Sequence, residues 1–398
     1  MYKAESCRIQ NMPSQGTILC LNADADDPTK RLKLAGMRRF AAAAGWRVVP
    51  VAQRRSRRDG IPALLDEYRP AGCIYDEDGT PLPVSMRNFG GIPVAFANGT
   101  RSRFDAVADR VCGDSGAVAR AAFRELSAGK PEAFAVVGNF APRQWSDVRV
   151  REFLSLVAES GRPGFALRSR SGEGSEGFAR RLARWIVRLP RHTAVYAVND
   201  RIAARVAAAA LSAGMRLPHD ITLLGTDNET AVCEGMRPGL SSIQMDFERM
   251  GYLAMRLLDE RIRGVRTAPA VEKVGPLLAV RRESTRGGGR REPHVMEAVE
   301  IIRREACDGL TVARLAARLP GSRRLLDLRF REAMGHSILD EILYVRLERV
   351  MDLLRRPETP IGAIADFCGF GTMRDLDKLF RKRFGSSMRT WRKLHARP

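Results

Sequence analysis

The sequence is poor in the residues that build disulfide frameworks and metal sites. Its 398 residues include only seven cysteines and five histidines. The cysteines, at positions 7, 20, 73, 112, 233, 307 and 368, are scattered and never form a Cys-x-x-Cys pair. Disulfide scaffolds need a dense, even set of cysteines, and zinc sites need closely spaced ligands. The composition therefore predicts neither, so we expect no metal or other cofactor and a reducing cytoplasmic location.

Long apolar runs and catalytic loops are missing as well. No stretch approaches the 18 or so apolar residues that cross a bilayer, and Lys3, Glu5 and Arg8 interrupt the N-terminus. We therefore expect no signal peptide and no membrane partner. The chain has no Gly-x-x-x-x-Gly-Lys-Ser/Thr loop and no Gly-x-Ser-x-Gly elbow. A Gly-x-Gly-x-x-Gly match at 172–177 follows no clear strand, so we discount it as a dinucleotide site.

Positive charge, in contrast, is abundant. The net charge is +21, and residues 284–398 contribute 24 basic and 15 acidic groups, or +9. The density of positive charge is therefore about twice as high in this C-terminal part as before it. Basic surfaces attract polyanions by releasing their counterions. The charge distribution favours a nucleic-acid partner for the C-terminal part.

Two copies of one helical pattern occupy this basic region, over residues 310–335 and 360–385. Each copy has a short apolar segment, a break that contains glycine, and a longer segment that opens with Ser322 or Thr372. Serine and threonine are favoured helix N-caps. A short helix, a tight turn and a longer helix form a helix-turn-helix, whose second helix enters the major groove of DNA. We predict two such units that read adjacent grooves of double-stranded DNA.

A third helix is predicted between the two copies, over residues 338–355. Its apolar residues recur at the spacing of one buried helical stripe. They are Ile338, Leu339, Ile342, Leu343, Leu347, Val350, Met351 and Leu354. This helix would hold the two units at a fixed distance.

Residues 16–283 alternate short apolar runs with helical stretches. The main predicted strands are Thr17–Asn22, Trp46–Val51, Gly72–Tyr75, Ile92–Phe96, Ala133–Val137, Ala194–Val198 and Ile221–Gly225. Alternating strands and helices form parallel sheets covered on both faces. Two successive series predict two doubly wound α/β lobes, with chain crossings near 110–130 and 240–245. Small ligands bind such sheets at the carboxyl ends of the strands.

Both regions resemble known families. The C-terminal part closely resembles the AraC/XylS family of transcription regulators in Arg346–Arg349, Ile364–Phe370 and Phe380–Gly385. The preceding part resembles the LacI-type effector domain, related to periplasmic sugar-binding proteins, most clearly in Val198–Asp200 and Leu224–Asn228. The resemblance implies an N-terminal tail (1–15), a two-lobed effector domain (16–283), a glycine-rich linker (284–293) and a DNA-binding domain (294–398). It implies a cytoplasmic transcription regulator similar to the xylose-responsive activators, although the sequence does not decide between activation and repression.

The effector implied by the resemblance is a monosaccharide such as xylose, held between the two lobes. Asp200 and Asp227 follow predicted strands, so their carboxylates can accept hydrogen bonds from sugar hydroxyls in one cleft. An arginine can donate to the sugar and a tryptophan can stack on its apolar face. The predicted ligand set is Arg149, Asp227, Asp200, Asn199, Trp145 and Asp24. Two alternatives stay open: Asp200 as only a helix N-cap, and Trp145 as lobe packing.

The DNA-reading residues are also carried over from the family. They are Ser322, Arg323, Arg324, Asp327 and Leu328 in the first unit, and Thr372, Met373, Arg374, Asp375, Lys378 and Arg381 in the second. Leu328 stands where the family usually has arginine, so a guanine reader is replaced by a side chain that suits a thymine methyl. We predict that Leu326, Phe330, Leu376 and Phe380 are core residues.

Assembly and partners are expected from the resemblance alone. LacI-type domains pair side by side, which implies a homodimer, and RNA polymerase is a further possible partner of a regulator. Two functions of other classes remain as alternatives. One is a sugar-acting enzyme, and the other is a solute-binding module, in either case with an accessory DNA-binding domain.

Overall fold

A computed structural model of the protein describes residues 16–77, 85–98, 104–285, 293–334, 336–354, 356 and 358–395. Its strands are β1 (Thr17–Leu21), β2 (Arg47–Val51), β3 (Gly72–Asp76), β4 (Val94–Ala97), β5 (Asp109–Gly113), β6 (Ala133–Val137), β7 (Gly164–Leu167), β8 (Thr193–Ala197), β9 (Ile221–Thr226), β10 (Ser241–Met245), β11 (Val271–Val274) and β12 (Pro276–Val280).

The helices of the effector region are α1 (Pro28–Ala44), α2 (Gln53–Asp59), α3 (Ile61–Tyr68), α4 (Ser115–Ser127), α5 (Gln144–Glu159), α6 (Ser175–Ile186), α7 (Asp200–Ser212), α8 (Thr230–Gly235) and α9 (Phe247–Ile262). The C-terminal helices are α10 (Pro293–Glu305), α11 (Val312–Ala316), α12 (Arg323–Met334), α13 (Ile338–Leu354), α14 (Ile364–Phe367), α15 (Met373–Phe384) and α16 (Met388–His395). Short 3-10 helices cover Met86–Phe89, Glu283–Thr285 and Ile361–Ala363.

The chain divides into two units, each containing one six-stranded sheet. The first unit combines residues up to Cys112 with Phe247–Glu272, and the second combines Gly113–Asp246 with Lys273 onwards. The strand orders are β11-β5-β4-β3-β1-β2 and β12-β10-β9-β8-β6-β7. The pairs β1–β2, β1–β3, β3–β4 and β4–β5 are parallel, as are β6–β7, β6–β8, β8–β9 and β9–β10. The predicted doubly wound lobes are confirmed.

Differences from the sequence prediction fall at the edges of the sheets. The chain passes between the units after residues 112, 246 and 272, and the last of these crossings was not predicted. Strands β5, β11 and β12 were also missed, because each is short and carries charged or half-exposed residues. The packed part of the second unit extends into the predicted linker, since Ser284 is buried and its hydroxyl donates to the carbonyl of Leu223 at 2.6 Å.

In the first unit, α1 and α9 meet at two glycines. A Cβ on Gly36 would lie 1.8 Å from the carbonyl oxygen of Glu248, and a Cβ on Gly251 would lie 1.8 Å from that of Lys33. Only glycine leaves room for this backbone contact. An ion pair between Arg39 and Glu248 closes the same contact. The close distance between α1 and α9 therefore depends on having glycine at positions 36 and 251.

The C-terminal helices form two small cores joined by one helix. Residues of α10, α11 and α12 pack around Phe330, and residues of α14, α15 and α16 pack around Phe380 and Trp391. Helix α13 enters both, with Ile338 and Ile342 in the first core and Leu347 onwards in the second. The predicted connecting helix is therefore confirmed. Its predicted stripe is wrong at Leu339, which is 52% exposed because it points away from both cores.

No helix within the described ranges is both long enough and apolar enough to cross a membrane.

The glycine contact predicts the effect of a single methyl group. Gly251→Ala should force α1 and α9 apart and destabilise the first unit by about 1–3 kcal/mol, the usual cost of overpacking a dense core. Thermal unfolding followed by circular dichroism measures the loss. Gly362→Ala is the control, because a Cβ at Gly362 meets nothing within 4 Å. Equal melting temperatures for the two variants would contradict this packing.

Candidate effector site and DNA interface

The carboxyl edge of the second sheet brings together several of the predicted ligand residues. Strands β6, β8 and β9 run parallel, so their carboxyl ends share one edge. Arg149, on α5, is only 6% exposed, and its Nη1 donates to the carbonyl of Val198 at 2.6 Å. Its guanidinium lies 4.9 Å from the ring centroid of Trp145. Within the described residues its Nε has no hydrogen-bond partner, so one buried donor remains for a bound molecule.

Asp227 and Asn228 end β9 in a constrained backbone. Their φ angles are 103° and 54°, in the left-handed region that side chains other than glycine rarely adopt. Hydrogen bonds hold this turn: the Asp227 amide donates to the carbonyl of Ile243 at 2.8 Å, and the Asn228 amide donates to Ser242 Oγ at 3.0 Å. Strained residues of this kind concentrate at ligand sites. Both side chains are half-buried at the sheet edge.

Asp200 has an internal role. Its carboxyl group is 1% exposed and accepts hydrogen bonds from Ser242 Oγ at 2.6 Å and from the Glu229 amide at 2.7 Å. Burial raises the pKa of Asp200 to about 7. The alternative that Asp200 caps α7 is wrong, because the side chain of Asn199 is the N-cap and accepts from the Ile202 amide at 2.9 Å. Both side chains therefore already have partners inside the fold, and their roles as ligand residues stay predictions.

Tyr196 is a buried residue at this edge that the sequence analysis missed. Its hydroxyl lies 3.2 Å from Thr226 Oγ1. Burial raises its pKa, the charge of Arg149 lowers it, and the carboxyl groups of Asp227 and Asp200 raise it. Tyr196 and Thr226 therefore form a buried hydroxyl pair at the ends of the adjacent strands β8 and β9. A tyrosine inside a strand carries no sequence signal that separates it from an ordinary core residue.

In the first unit, Asp24 binds its own neighbours. Its carboxylate pairs with Lys30 Nζ at 2.7 Å and accepts from the Gln53 amide at 2.8 Å. The side chain remains 29% exposed, so a further contact is sterically open. Its role as a ligand residue stays a prediction.

A second set of buried polar groups in the first unit escaped the sequence analysis. Lys33 Nζ pairs with Asp76 at 2.5 Å, and Asn22 Nδ2 donates to the Asp76 carbonyl at 3.1 Å. Arg110, only 1% exposed, pairs with Glu77 at 2.9 Å. Asn22, Asp76 and Glu77 lie where β1 and β3 end. The sequence signal for this set was the acidic pair Asp76 and Glu77 at the end of the buried strand β3.

In the DNA-binding region the two longer helices are copies offset by 50 residues. Ser322 and Thr372 cap them, accepting from the amides of Leu325 and Asp375 at 3.2 and 3.1 Å. Each helix repeats an ion pair of 2.8 Å, between Asp327 and Arg331 and between Asp377 and Arg381. The predicted core residues, Leu326, Phe330, Leu376 and Phe380, are buried, which confirms that part of the prediction.

The predicted DNA-reading residues lie on the outer faces of these helices. Arg323, Arg324, Arg374 and Lys378 are exposed, and Leu328 is 52% exposed. Asp375 accepts from the Thr372 hydroxyl at 2.7 Å, so it also serves the cap. Met373 is half-buried against the second core. An exposed leucine on a charged face has no packing role here and fits contact with an apolar base edge.

Arg346 fixes the two helix-turn-helix units to each other. From α13, its Nε and Nη2 donate to the carbonyls of Ala306 and Leu310, next to the first helix-turn-helix, each at 2.8 Å. Its guanidinium lies 5.7 Å from the ring centroid of Phe370 in the second helix-turn-helix. Arg392 closes the C-terminal end of α13 by donating to the carbonyls of Leu354 and Leu353 at 3.3 and 3.4 Å, and it also donates to the carbonyl of Thr359 at 2.6 Å. The two recognition helices are therefore held in a fixed relation.

Comparisons with known proteins match both regions. A periplasmic binding protein-like domain matches residues 123–285, and a helix-turn-helix domain matches residues 315–394. The xylose operon regulatory protein of Escherichia coli K12 is 25% identical over 362 residues, 89% of this chain and 91% of that protein.

Two solved structures have the same fold. The xylose-binding transcription activator XylR aligns with a TM-score of 0.57 at 23% identity, over 96% of this chain and 100% of that one. The regulator CelR in complex with cellobiose aligns with a TM-score of 0.58 at 18% identity, over 68% of this chain and 85% of that one.

The fold and the matched domains define a class: this chain is a helix-turn-helix transcription regulator with a periplasmic-binding-protein-like effector domain. Within that class it is a homologue of the xylose operon regulatory proteins and shares their two-domain architecture along nearly the whole chain. These relatives are named as regulators and not as enzymes, which leaves the enzyme alternative without support.

The buried carboxyl of Asp200 predicts a pH dependence of stability. An unfolded aspartate ionises near pH 4, whereas Asp200 in the folded chain stays protonated up to about pH 7. Between these values the folded state binds more protons, so the free energy of unfolding should fall as pH rises, by up to about 1.4 kcal/mol per pH unit. Asp200→Asn should remove this contribution to the slope in urea unfolding between pH 5 and 7.

Asp220→Asn is the matched control for that experiment. Hydrogen bonds from the side chain and backbone of Arg216 lower the pKa of Asp220, so it stays ionised in the folded and unfolded states from pH 5 to 7. This variant should keep the wild-type slope. Equal slopes for wild type and Asp200→Asn would contradict the assignment of a protonated, buried Asp200.

Proposed function

We propose that the DNA binding of this regulator is controlled by a monosaccharide, with xylose as the first candidate, bound at the carboxyl edge of the second lobe's sheet. The observation that carries the proposal is the convergence of Arg149, Asp227 and Trp145 at that edge. It offers a charged donor, a carboxylate and an aromatic face, the three groups that recognise hydroxyls and the apolar face of a sugar. The names of the matched relatives, which bind xylose and cellobiose, support this ligand class.

Arg149 is the most constrained member of the set. Its guanidinium is already oriented by the Val198 carbonyl and the Trp145 ring, and its Nε remains unused within the described residues. A donor held in place before binding loses little entropy when the sugar arrives. Asp227, set by its unusual backbone, supplies the acceptor. We place Asp200 behind them, where it supports Ser242 and the turn after β9, and we keep Asp24 and Asn199 as outer candidates.

On DNA, we propose that α12 and α15 enter successive major grooves on one face of the duplex, about 34 Å apart. Arg323, Arg324, Leu328, Met373, Arg374 and Lys378 meet bases, while Ser322, Thr372 and Arg381 meet backbone phosphates. Asp327 and Asp375 face the groove without contacting phosphate, since their carboxylates are held by Arg331 and by the Thr372 hydroxyl. The equivalent burial and the repeated ion pairs of the two helices support equivalent roles. We further propose a cytoplasmic homodimer that acts as an activator in contact with RNA polymerase, on the resemblance to sugar-responsive regulators.

The sugar proposal predicts the loss of one binding event. Calorimetry on the wild type should detect one of a panel of pentoses and hexoses, D-xylose first. Arg149→Ala combined with Asp227→Ala should abolish that heat, because both charged partners of the hydroxyls are gone. Arg180→Ala, which removes an exposed ion pair with Glu176 in the same lobe, is the control and should bind as the wild type does. A wild type that binds no monosaccharide, or a double variant that binds equally well, would reject this site.

The DNA proposal predicts two separate sets of base positions. A duplex selected from a randomised pool serves as probe. Arg324→Ala should relax base preference in one groove and Arg374→Ala in the next, each with a loss of about 1–3 kcal/mol for the preferred base. Arg318→Ala, whose guanidinium pairs with Glu305 away from the recognition helices, should leave base preference unchanged.

Two outcomes would count against the DNA proposal. One is a loss of affinity that is equal for all sequences, and the other is an effect of both variants on the same positions. Sedimentation of the same samples tests the homodimer, which a monomer at micromolar concentration with and without DNA would exclude.

A further inference from the structure

The second lobe and the DNA-binding domain share an apolar core. Strand β12 contributes the buried Leu278 and the partly buried Leu277 and Val280 to the cluster that contains Tyr344, Leu347 and Trp391. The effector domain and the DNA-binding domain are therefore in direct contact through these side chains, in addition to being joined by the predicted linker. Separating the two parts would expose this apolar surface to water, at roughly 25 cal/mol for each Å² exposed.

Arg281 lies directly after β12 at the centre of the junction. Its Nε and Nη2 donate to Glu125 of α4 at 2.5 and 3.0 Å, which places it against the second lobe. Its Nη1 lies 3.7 Å from Glu341 of α13, and its guanidinium lies 5.2 Å from the ring centroid of Tyr344. The Arg281 side chain is 16% exposed and that of Glu341 is fully buried. One guanidinium therefore bridges two carboxylates from different domains.

The ion pairs at the rim of the junction are weaker. Arg282 and Glu234 are 3.7 Å apart, and Arg303 and Glu283 are 3.6 Å apart. They border an open pocket of about 460 Å³, and Glu234, Glu283 and Arg303 are exposed. Exposed pairs of this kind contribute little to stability. Breaking one member of a buried pair is costly, because a charge is left without a partner. Arg281 therefore makes the most buried ion pairs of the junction. Its backbone amide also donates to the Tyr344 hydroxyl at 3.3 Å, and Glu341 has a second partner in His336 Nε2 at 2.8 Å.

The junction is also connected to the proposed effector edge. Ser242 of β10 binds Asp200 and the Asn228 amide, and the same residue pairs with Val280 in the β10–β12 ladder. After β12, Ser284 is anchored to the second sheet by hydrogen bonds with Leu223, Ser241 and Gly239. The turn after β9 is thus connected to Arg281 through two residues: Ser242, which accepts from the Asn228 amide, and Val280, which pairs with Ser242 and precedes Arg281.

We propose that Arg281 locks the DNA-binding domain to the second lobe through α13, and that this lock carries the effector signal to the recognition helices. The proposal rests on the proposed function for its second half. Helix α13 is the recipient because it enters both cores of the DNA-binding domain and holds Arg346. The glycine-rich linker then has no mechanical role, since the signal passes through packed side chains.

The lock itself is tested without any ligand. In the full chain, Arg281→Met should increase hydrogen exchange of the α13 amides by about tenfold, because Glu125 and Glu341 lose their shared cation and the junction opens more often. Arg180→Met, which breaks an exposed pair with Glu176 on the same lobe, is the matched control and should exchange as the wild type does. Arg281→Lys, which keeps the charge but not the two-carboxylate geometry, serves if the methionine variant fails to fold, and should show an intermediate increase. Unchanged exchange in α13 would overturn the lock.

Transmission is tested with D-xylose and then the other monosaccharides as probes. In the wild type the Kd for the selected duplex should change about 5- to 150-fold on saturation with the sugar, the usual range of allosteric coupling. In Arg281→Met the ratio of the duplex Kd without sugar to the duplex Kd with sugar should fall to near one. The Kd for the sugar itself should stay within about twofold of the wild-type value. A variant that keeps the wild-type ratio would overturn the transmission role. If the wild-type Kd for the duplex does not change with any of the sugars, the proposed function is rejected and the transmission role with it. The hydrogen-exchange result would still decide whether Arg281 locks the domain.

Discussion

The apolar packing between β12 and the second helix-turn-helix core is the constraint on which the rest of the account depends. Leu278 belongs to the same buried cluster as Leu347, Phe380 and Trp391, although some 70 residues separate it from the nearest of the three along the chain. A regulator with a freely tethered DNA-binding domain would have no physical route from effector to operator. In this chain an apolar contact, with Arg281 at its edge, ties the sheet of the second lobe to α13.

Rigidity continues inside the DNA-binding domain. Arg346, near the middle of α13, donates to the carbonyls of Ala306 and Leu310 in the segment between α10 and α11. Arg392 of α16 donates to the carbonyls of Leu353 and Leu354 at the C-terminal end of α13, so these two guanidinium groups join neighbouring helices and loops. Two recognition helices with the same caps and the same internal ion pairs are thereby held as one reading surface. The domain is therefore expected to move as one rigid body. The proposed response to the effector would change the position of the whole domain and leave the fold of each helix unchanged.

The sequence predicted the features that repeat or alternate. The two helix-turn-helix units were visible because Ser322 and Thr372, Gly321 and Gly371, and the buried Phe330 and Phe380 recur at one offset. The lobes were visible because buried parallel strands are continuous apolar runs. What the sequence did not show depends on tertiary contact: strand β5, the edge strands β11 and β12, the exposure of Leu339, and the burial of Asp200 beneath the turn after β9.

The same limit applies to the junction. Arg281 is one of many arginines in a strongly basic chain, and nothing local distinguishes it from Arg282, whose partner Glu234 is exposed. Only the fold brings Glu125 and Glu341, more than 200 residues apart, to the same guanidinium. Charge composition pointed to DNA, but the arginines that matter for signalling are those removed from solvent, and burial is a property of the folded chain.

The central claim, a ligand-controlled DNA-binding regulator, is tested most directly by a closed thermodynamic cycle on the full chain. The affinity for the selected duplex is measured with and without saturating monosaccharide, and the affinity for that monosaccharide is measured with and without saturating duplex. Coupling free energy is reciprocal, so the account predicts the same factor on both sides, within about 5- to 150-fold. A sugar that binds with an affinity indifferent to DNA, on a protein whose DNA affinity is indifferent to the sugar, would contradict it.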